Sequence, residues 1–176
     1  MGKGQDSERC CRVKDFNQYI SEAFNRPYRW RVDYTPRESD LDFFDYSLST
    51  KATPIIWDYS FVTSDGDKIV VDIKYRYSDR SITIGFALDE NGDYFEDLTD
   101  TGDPFRIFAT VIDIAKHFLK TASIPINKIK FSASKANTNR VNLYHRFAKR
   151  FGNQAGYGKI TTKNYSNDVE YELSKG

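Results

Sequence analysis

The chain has 176 residues, of which 39% are hydrophobic and 15% aromatic, and a formal net charge of +1. That length suits a single domain with one hydrophobic core and no need of disulfides or metal, and that composition excludes a disordered chain. No apolar run is long enough for a bilayer, and the opening MGKGQDSERCC lacks the apolar stretch of a signal peptide, so a cytoplasmic protein with no membrane partner is expected.

The near-neutral total hides a division. Residues 1–104 hold 21 acids against 13 bases, whereas residues 105–176 hold 4 acids against 13 bases. Such asymmetry bears on partners rather than on fold. Cys10 and Cys11 are adjacent and His117 and His145 stand apart, which supplies neither a disulfide nor metal-ligand spacing. Residues 1–11 read as a flexible tail on one domain spanning 1–176.

In chain order, Val13, Phe16, Ile20 and Phe24 recur at helical spacing, and Pro27 ends that helix. Tyr28 to Tyr34 alternates as a half-buried strand would, and residues 35–45 form an acidic loop or short helix. Three strands follow. Their alternating apolar sets are Ile55, Trp57, Tyr59, Phe61; then Ile69, Val71, Ile73, Tyr75; then Ile82, Ile84, Phe86, Leu88. Turn chemistry separates them, which predicts an antiparallel meander, with Gly85 as a place for a bulge.

An acidic stretch, DENGDYFEDLTDTGD, then crosses to a helix from Pro104 to Ala122, with Asp103 as N-cap and Pro104 at the first position. A short strand (Lys128 to Ser132), a helix (Asn139 to Phe151) and a closing hairpin (Gly158 to Lys163, Val169 to Leu173) complete the chain. This order predicts an α+β fold with a mixed, mostly antiparallel twisted sheet and flanking helices.

That order, with ANTNRVNLYHRFAKRFG and the closing hairpin, resembles the GNAT-type N-acetyltransferases. The likeness in topology covers about residues 50–173, and the likeness in motif about 137–152. Asn137 stands seven residues before Tyr144, as the family's turn asparagine precedes its tyrosine, and Leu143-Tyr144 matches the family's pair. The resemblance implies Tyr144 as the general acid that protonates a departing coenzyme A thiolate, and Asn137 and Arg106 as residues near the cofactor. Two departures stand beside it. Ala148 occupies the place of a glycine, and the segment opening the Pro104 helix reads TDTGDPFR where the family has a glycine-rich diphosphate loop. Asp103 and Pro104 there disfavour a polyanion. The segment Arg140-Val141-Asn142-Leu143-Tyr144-His145-Arg146 also resembles small proteins of tailed bacteriophages on a GNAT-like frame.

Tyr144 shares a helical stripe with Val141, Ala148 and Phe151, so a core role is weighed beside catalysis. Arg146, Lys149 and Arg150 share the opposite face, preceded by Lys135 and Arg140, and these five are the candidate contacts for a macromolecule. The leading expectation is therefore a non-enzymatic, phage-type accessory protein on a degenerate GNAT-like fold, binding a host protein or nucleic acid through the basic face of helix 139–151. It needs no cofactor and would work in the cytoplasm of the host cell if phage-encoded. The alternative is an N-acyltransferase that uses acetyl-coenzyme A or a related donor, with Tyr144 as acid and a carboxylate near the strands as base.

Overall fold

In a computed structural model of the chain, the described residues are 26–37, 54–95, 103–135 and 138–175. The expected N-terminal helix, and all but the first few residues of the acidic segment 35–45, lie outside them.

Among the described residues, eight strands and two helices occur in the order β1 (Trp30–Tyr34), β2 (Ile55–Val62), β3 (Lys68–Arg76), β4 (Ser81–Glu90), β5 (Asp93–Phe95), α1 (Pro104–Thr121), β6 (Lys128–Ser134), α2 (Thr138–Ala155), β7 (Lys159–Asn164) and β8 (Asp168–Ser174). The strands form one sheet in the order β1-β2-β3-β4-β6-β8-β7, with β5 paired to β4 off this path. Only the β4–β6 pair is parallel. The fold is thus the mixed, mostly antiparallel α+β arrangement that the sequence implied.

The apolar alternation of the meander becomes its buried face. Ile69, Val71 and Ile73 are wholly buried, as are their neighbours Tyr75 and Ile82 to within about a percent. Burying each such side chain stabilises by roughly 1.5–3 kcal/mol. Helix α1 covers this face with Ile107, Phe108, Val111, Ile114 and Phe118, and Phe118 meets Trp57 edge-on at 4.9 Å. Helix α2 packs beside it through Tyr144, Phe147, Ala148 and Phe151, and Phe147 meets Phe131 edge-on at 5.0 Å.

Four local features depart from the sequence reading. Strand β1 does not alternate: Val32 and Tyr34 are 46% and 50% exposed, because it is an edge strand whose only inward residue is Trp30. Strand β5 lies within the stretch that the sequence presents as an acidic crossing. Asn91 and Gly92 take φ of 59° and 99°, which turns the chain after Glu90 and lays Asp93 back against it. Asn-Gly suits such a two-residue turn.

Strand β4 carries no bulge, since its register with β3 runs without a break from Ile69↔Leu88 to Arg76↔Ser81. Gly85 serves another purpose: a β-carbon there would lie 2.7 Å from Oδ1 of Asp72 on β3. Helix α2 runs a turn beyond Phe151, and Gly152 lies buried inside it. The helix ends at Gly156, whose φ of 77° lets the Tyr157 N–H return to the Gly152 carbonyl at 2.8 Å. That is a Schellman closure, in which only glycine takes the left-handed position without strain.

Candidate active site

The parallel pairing of β4 and β6 is brief. It covers Ser81↔Lys128, Ile82↔Ile129 and Thr83↔Lys130, and then the strands part. Strand β6 continues to Ser134 on its pairing with β8, while β4 continues to Glu90 on its pairing with β3. On the side facing β6, β4 is next engaged at Leu88, by β5. Between these points no described strand pairs with the β4 edge from Ile84 to Ala87.

The gap is a cleft of about 180 Å³, walled by Ile84, Gly85 and Phe86 of β4, Ser132 and Ser134 of β6, Tyr144 of α2 and Asp168 of β8. Its inner wall is aromatic. Tyr144 is only 4% exposed, lies parallel to Phe86 at 6.0 Å, and meets Phe108 edge-on at 4.8 Å. Its ring therefore belongs to the core, as the stripe on α2 predicted, while the same residue lines the cleft.

Ile84, Gly85, Phe86 and Ser132 also line a larger groove of about 760 Å³ that crosses the other face of β2, β3 and β4. Asp58 and Asp72 stand directly opposite each other on its floor, in the register of β2 and β3. Asp72 is ion-paired with Lys74 at 3.0 Å and lies over Gly85. Burial, then the charges of Asp72 and Asp33, raise the pKa of the Asp58 carboxyl above its ordinary value, against a smaller opposing effect of Lys74. The composition could not single out this pair, because Asp58 and Asp72 are 14 residues apart and only the hairpin register joins them. Their position as polar residues within two alternating strands was the available signal.

The start of α1 is closed. Asp103 Oδ1 accepts from the backbone N–H groups of Phe105 and Arg106 at 3.0 and 3.4 Å, and Pro104 has none to offer. Arg106, expected near a cofactor, points elsewhere. Its Nε donates to the Arg26 carbonyl at 2.8 Å, and its guanidinium lies 3.9 Å from the centre of the Tyr28 ring. It holds the segment before β1 onto α1, together with Tyr28 N–H donating to Thr110 Oγ1 at 2.8 Å. A coenzyme A diphosphate held in the family's manner, at this helix end, does not fit these residues.

Asn137 and the side chain of Arg140 lie outside the described residues. Lys135 is exposed and its ammonium donates to the Tyr165 carbonyl. Arg146 and Lys149 are exposed, and Arg150 is half-buried and engaged with a neighbour. The last three are thus on the outer side of α2, whereas Tyr144 lies on its inner side.

No family model and no curated protein matches the chain. Solved structures do. The spermidine/spermine N-acetyltransferase SpeG of Vibrio cholerae, in mutant forms, is 13% identical with a TM-score of 0.43, over 82% of this chain and 92% of that one. A dodecameric form of the same enzyme is 15% identical with a TM-score of 0.41, over 88% and 84%. The N-acetyltransferase PseH of Campylobacter jejuni is 15% identical with a TM-score of 0.40, over 84% and 98%. These neighbours are acetyltransferases, and the expectation of a non-catalytic, macromolecule-binding protein is corrected on that finding.

Proposed function

We propose that the chain is an N-acyltransferase that works in the cleft between β4 and β6. The observation that carries this reading is the parting of two parallel strands beside a tyrosine. An extended thioester arm with amide groups finds there an open β4 edge for its hydrogen bonds, in the way a peptide adds to a sheet. Ser132 and Ser134 offer further polar contacts.

The acceptor is a primary amine, which reaches the thioester carbonyl from the groove on the opposite face. Its neutral nitrogen attacks, the C–N bond forms, and the C–S bond of the tetrahedral adduct breaks. Tyr144 gives its phenolic proton to the leaving sulfur. A phenol keeps its proton near neutral pH and can give it to the sulfur as the C–S bond breaks. The proton lost by the amine passes to a groove carboxylate, directly or through water. Asp58 suits this role because its raised pKa makes it a better proton acceptor than an ordinary aspartate. Tyr144 then recovers its proton from solvent.

The test is release of free thiol from acetyl thioesters in the presence of a panel of primary amines, with the product amide identified by mass. Thiol release that depends on amine and is lost in Tyr144→Phe supports the proposal. A rate equal to that of buffer with every amine would sink it.

A further inference from the structure

We infer that the acyl donor is a short thioester of the pantetheine kind, recognised without its nucleotide diphosphate. This rests on the acyltransferase reading and goes beyond it by naming the part of the donor that the protein does not use.

Three independent features carry it. The first is the closed helix end. A diphosphate at a helix start is held by backbone N–H groups that have no partner within the helix. In α1 those groups are spent on one residue. Phe105 N–H and Arg106 N–H reach the Asp103 carboxylate at 3.0 and 3.4 Å, and Arg106 and Ile107 reach the Asp103 carbonyl, both at 3.0 Å. Pro104 contributes no donor. A diphosphate would have to displace a carboxylate and would meet its charge.

The second feature is the missing cation. Arg106 is the one base in the first three turns of α1, and its Nε is spent on the Arg26 carbonyl with the guanidinium over Tyr28. Turning it toward the helix start would break both contacts and release the segment before β1.

The third is the length of the open strand edge. Strand β5 folds back onto β4 and takes the edge from Leu88 to Glu90. Among the described strands the edge left unpaired is Ile84 to Ala87, about 13 Å of strand at the usual rise per residue. This accommodates an extended arm of the pantetheine kind, and the β4–β5 hairpin closes the edge at Leu88. The hairpin is fixed by its own contacts, since Asp89 accepts from Gly92 N–H at 2.9 Å and from Lys68 at 2.7 Å.

The experiment compares two donors that differ only in the nucleotide diphosphate, S-acetyl-pantetheine and acetyl-coenzyme A, by titration calorimetry on the full chain. The expected result is measurable binding of both, with the coenzyme A ester no more than about threefold tighter, a difference well short of one strong contact. A coenzyme A ester tighter than that overturns the inference and leaves the acyltransferase reading intact. Failure of both donors to bind overturns the acyltransferase reading and the inference with it.

Discussion

Tyr144 has two duties that pull in different directions. Its ring is packed among Phe86, Phe108, Phe131 and Phe147, so it cannot be shortened without loosening the junction of both helices with the sheet. Phenylalanine keeps that packing and removes only the hydroxyl. Tyr144→Phe is therefore expected to stay folded and keep its thioester affinity, and to lose roughly 10²-fold or more in turnover, as befits a general acid. A variant that keeps full turnover would return Tyr144 to the core alone. Tyr59 is a phenol of the opposite kind, buried for packing. Burial pushes its pKa from 10.0 to about 12. The unfolded chain releases this proton first as pH rises, so stability should fall between pH 10 and about 12 and level off above it. Thermal melts of Tyr59→Phe across that range should lack this fall, and an unchanged alkaline limb would show that other groups cause it.

At the scale of elements, the two helices differ in how they end. The Asp103 cap of α1 satisfies donors that Pro104 and the turn geometry leave without a helical partner. Asp103→Ala should cost about 1 kcal/mol in chemical denaturation, and Asp103→Gly only a few tenths, since glycine caps nearly as well. Equal losses would mean that the carboxylate matters for its charge rather than as a cap. On α2 the sensitive residue is Gly152. A β-carbon there would lie 2.6 Å from the Tyr157 carbonyl oxygen and 2.6 Å from a methyl of Leu173. The carbonyl belongs to the backbone that closes the helix, so it has little room to yield. Gly152→Ala should cost about 1–3 kcal/mol, the usual penalty of overpacking. A neutral result in the same denaturation assay would show that the end of α2 can shift.

Across the whole molecule, the short parallel pairing that anchors the cleft is also held by charge. Lys130 of β6 meets Asp79, in the turn before β4, at 2.6 Å, and stands 4.0 Å from Glu172 of β8. Burial alone would raise the Asp79 pKa, but hydrogen bonds from Lys130 and Ser81, with the charges of Lys130 and Arg76, outweigh it and hold the carboxyl below its ordinary value. The sign follows: the unfolded chain takes up this proton first as pH falls, so the stabilisation is whole above pH 3.8 and is lost as pH drops through the lower folded value. Asp79→Asn should flatten the acid limb of the stability profile between those two values. If the limb keeps its slope, the pair is a surface contact of little weight.

Much of this was legible before folding. Alternation in Ile69, Val71, Ile73 and Tyr75 decides which face is buried, because side chains on a strand point in turn to opposite sides, and Asp103-Pro104 marks a helix start through local sterics and capping alone. Asn91-Gly92 is legible too as turn chemistry, but the three residues of β5 are too few to show a strand pattern. What the sequence determined by itself is what depends on neighbours along the chain: element type, buried face, caps, and the stripe that carries Tyr144. Tertiary structure alone decided where β4 and β6 part, that Asp58 faces Asp72, and that Arg106 is held by Tyr28 and the Arg26 carbonyl. The reason is that register and strand divergence are set by contacts between residues far apart in sequence, and no local propensity encodes them.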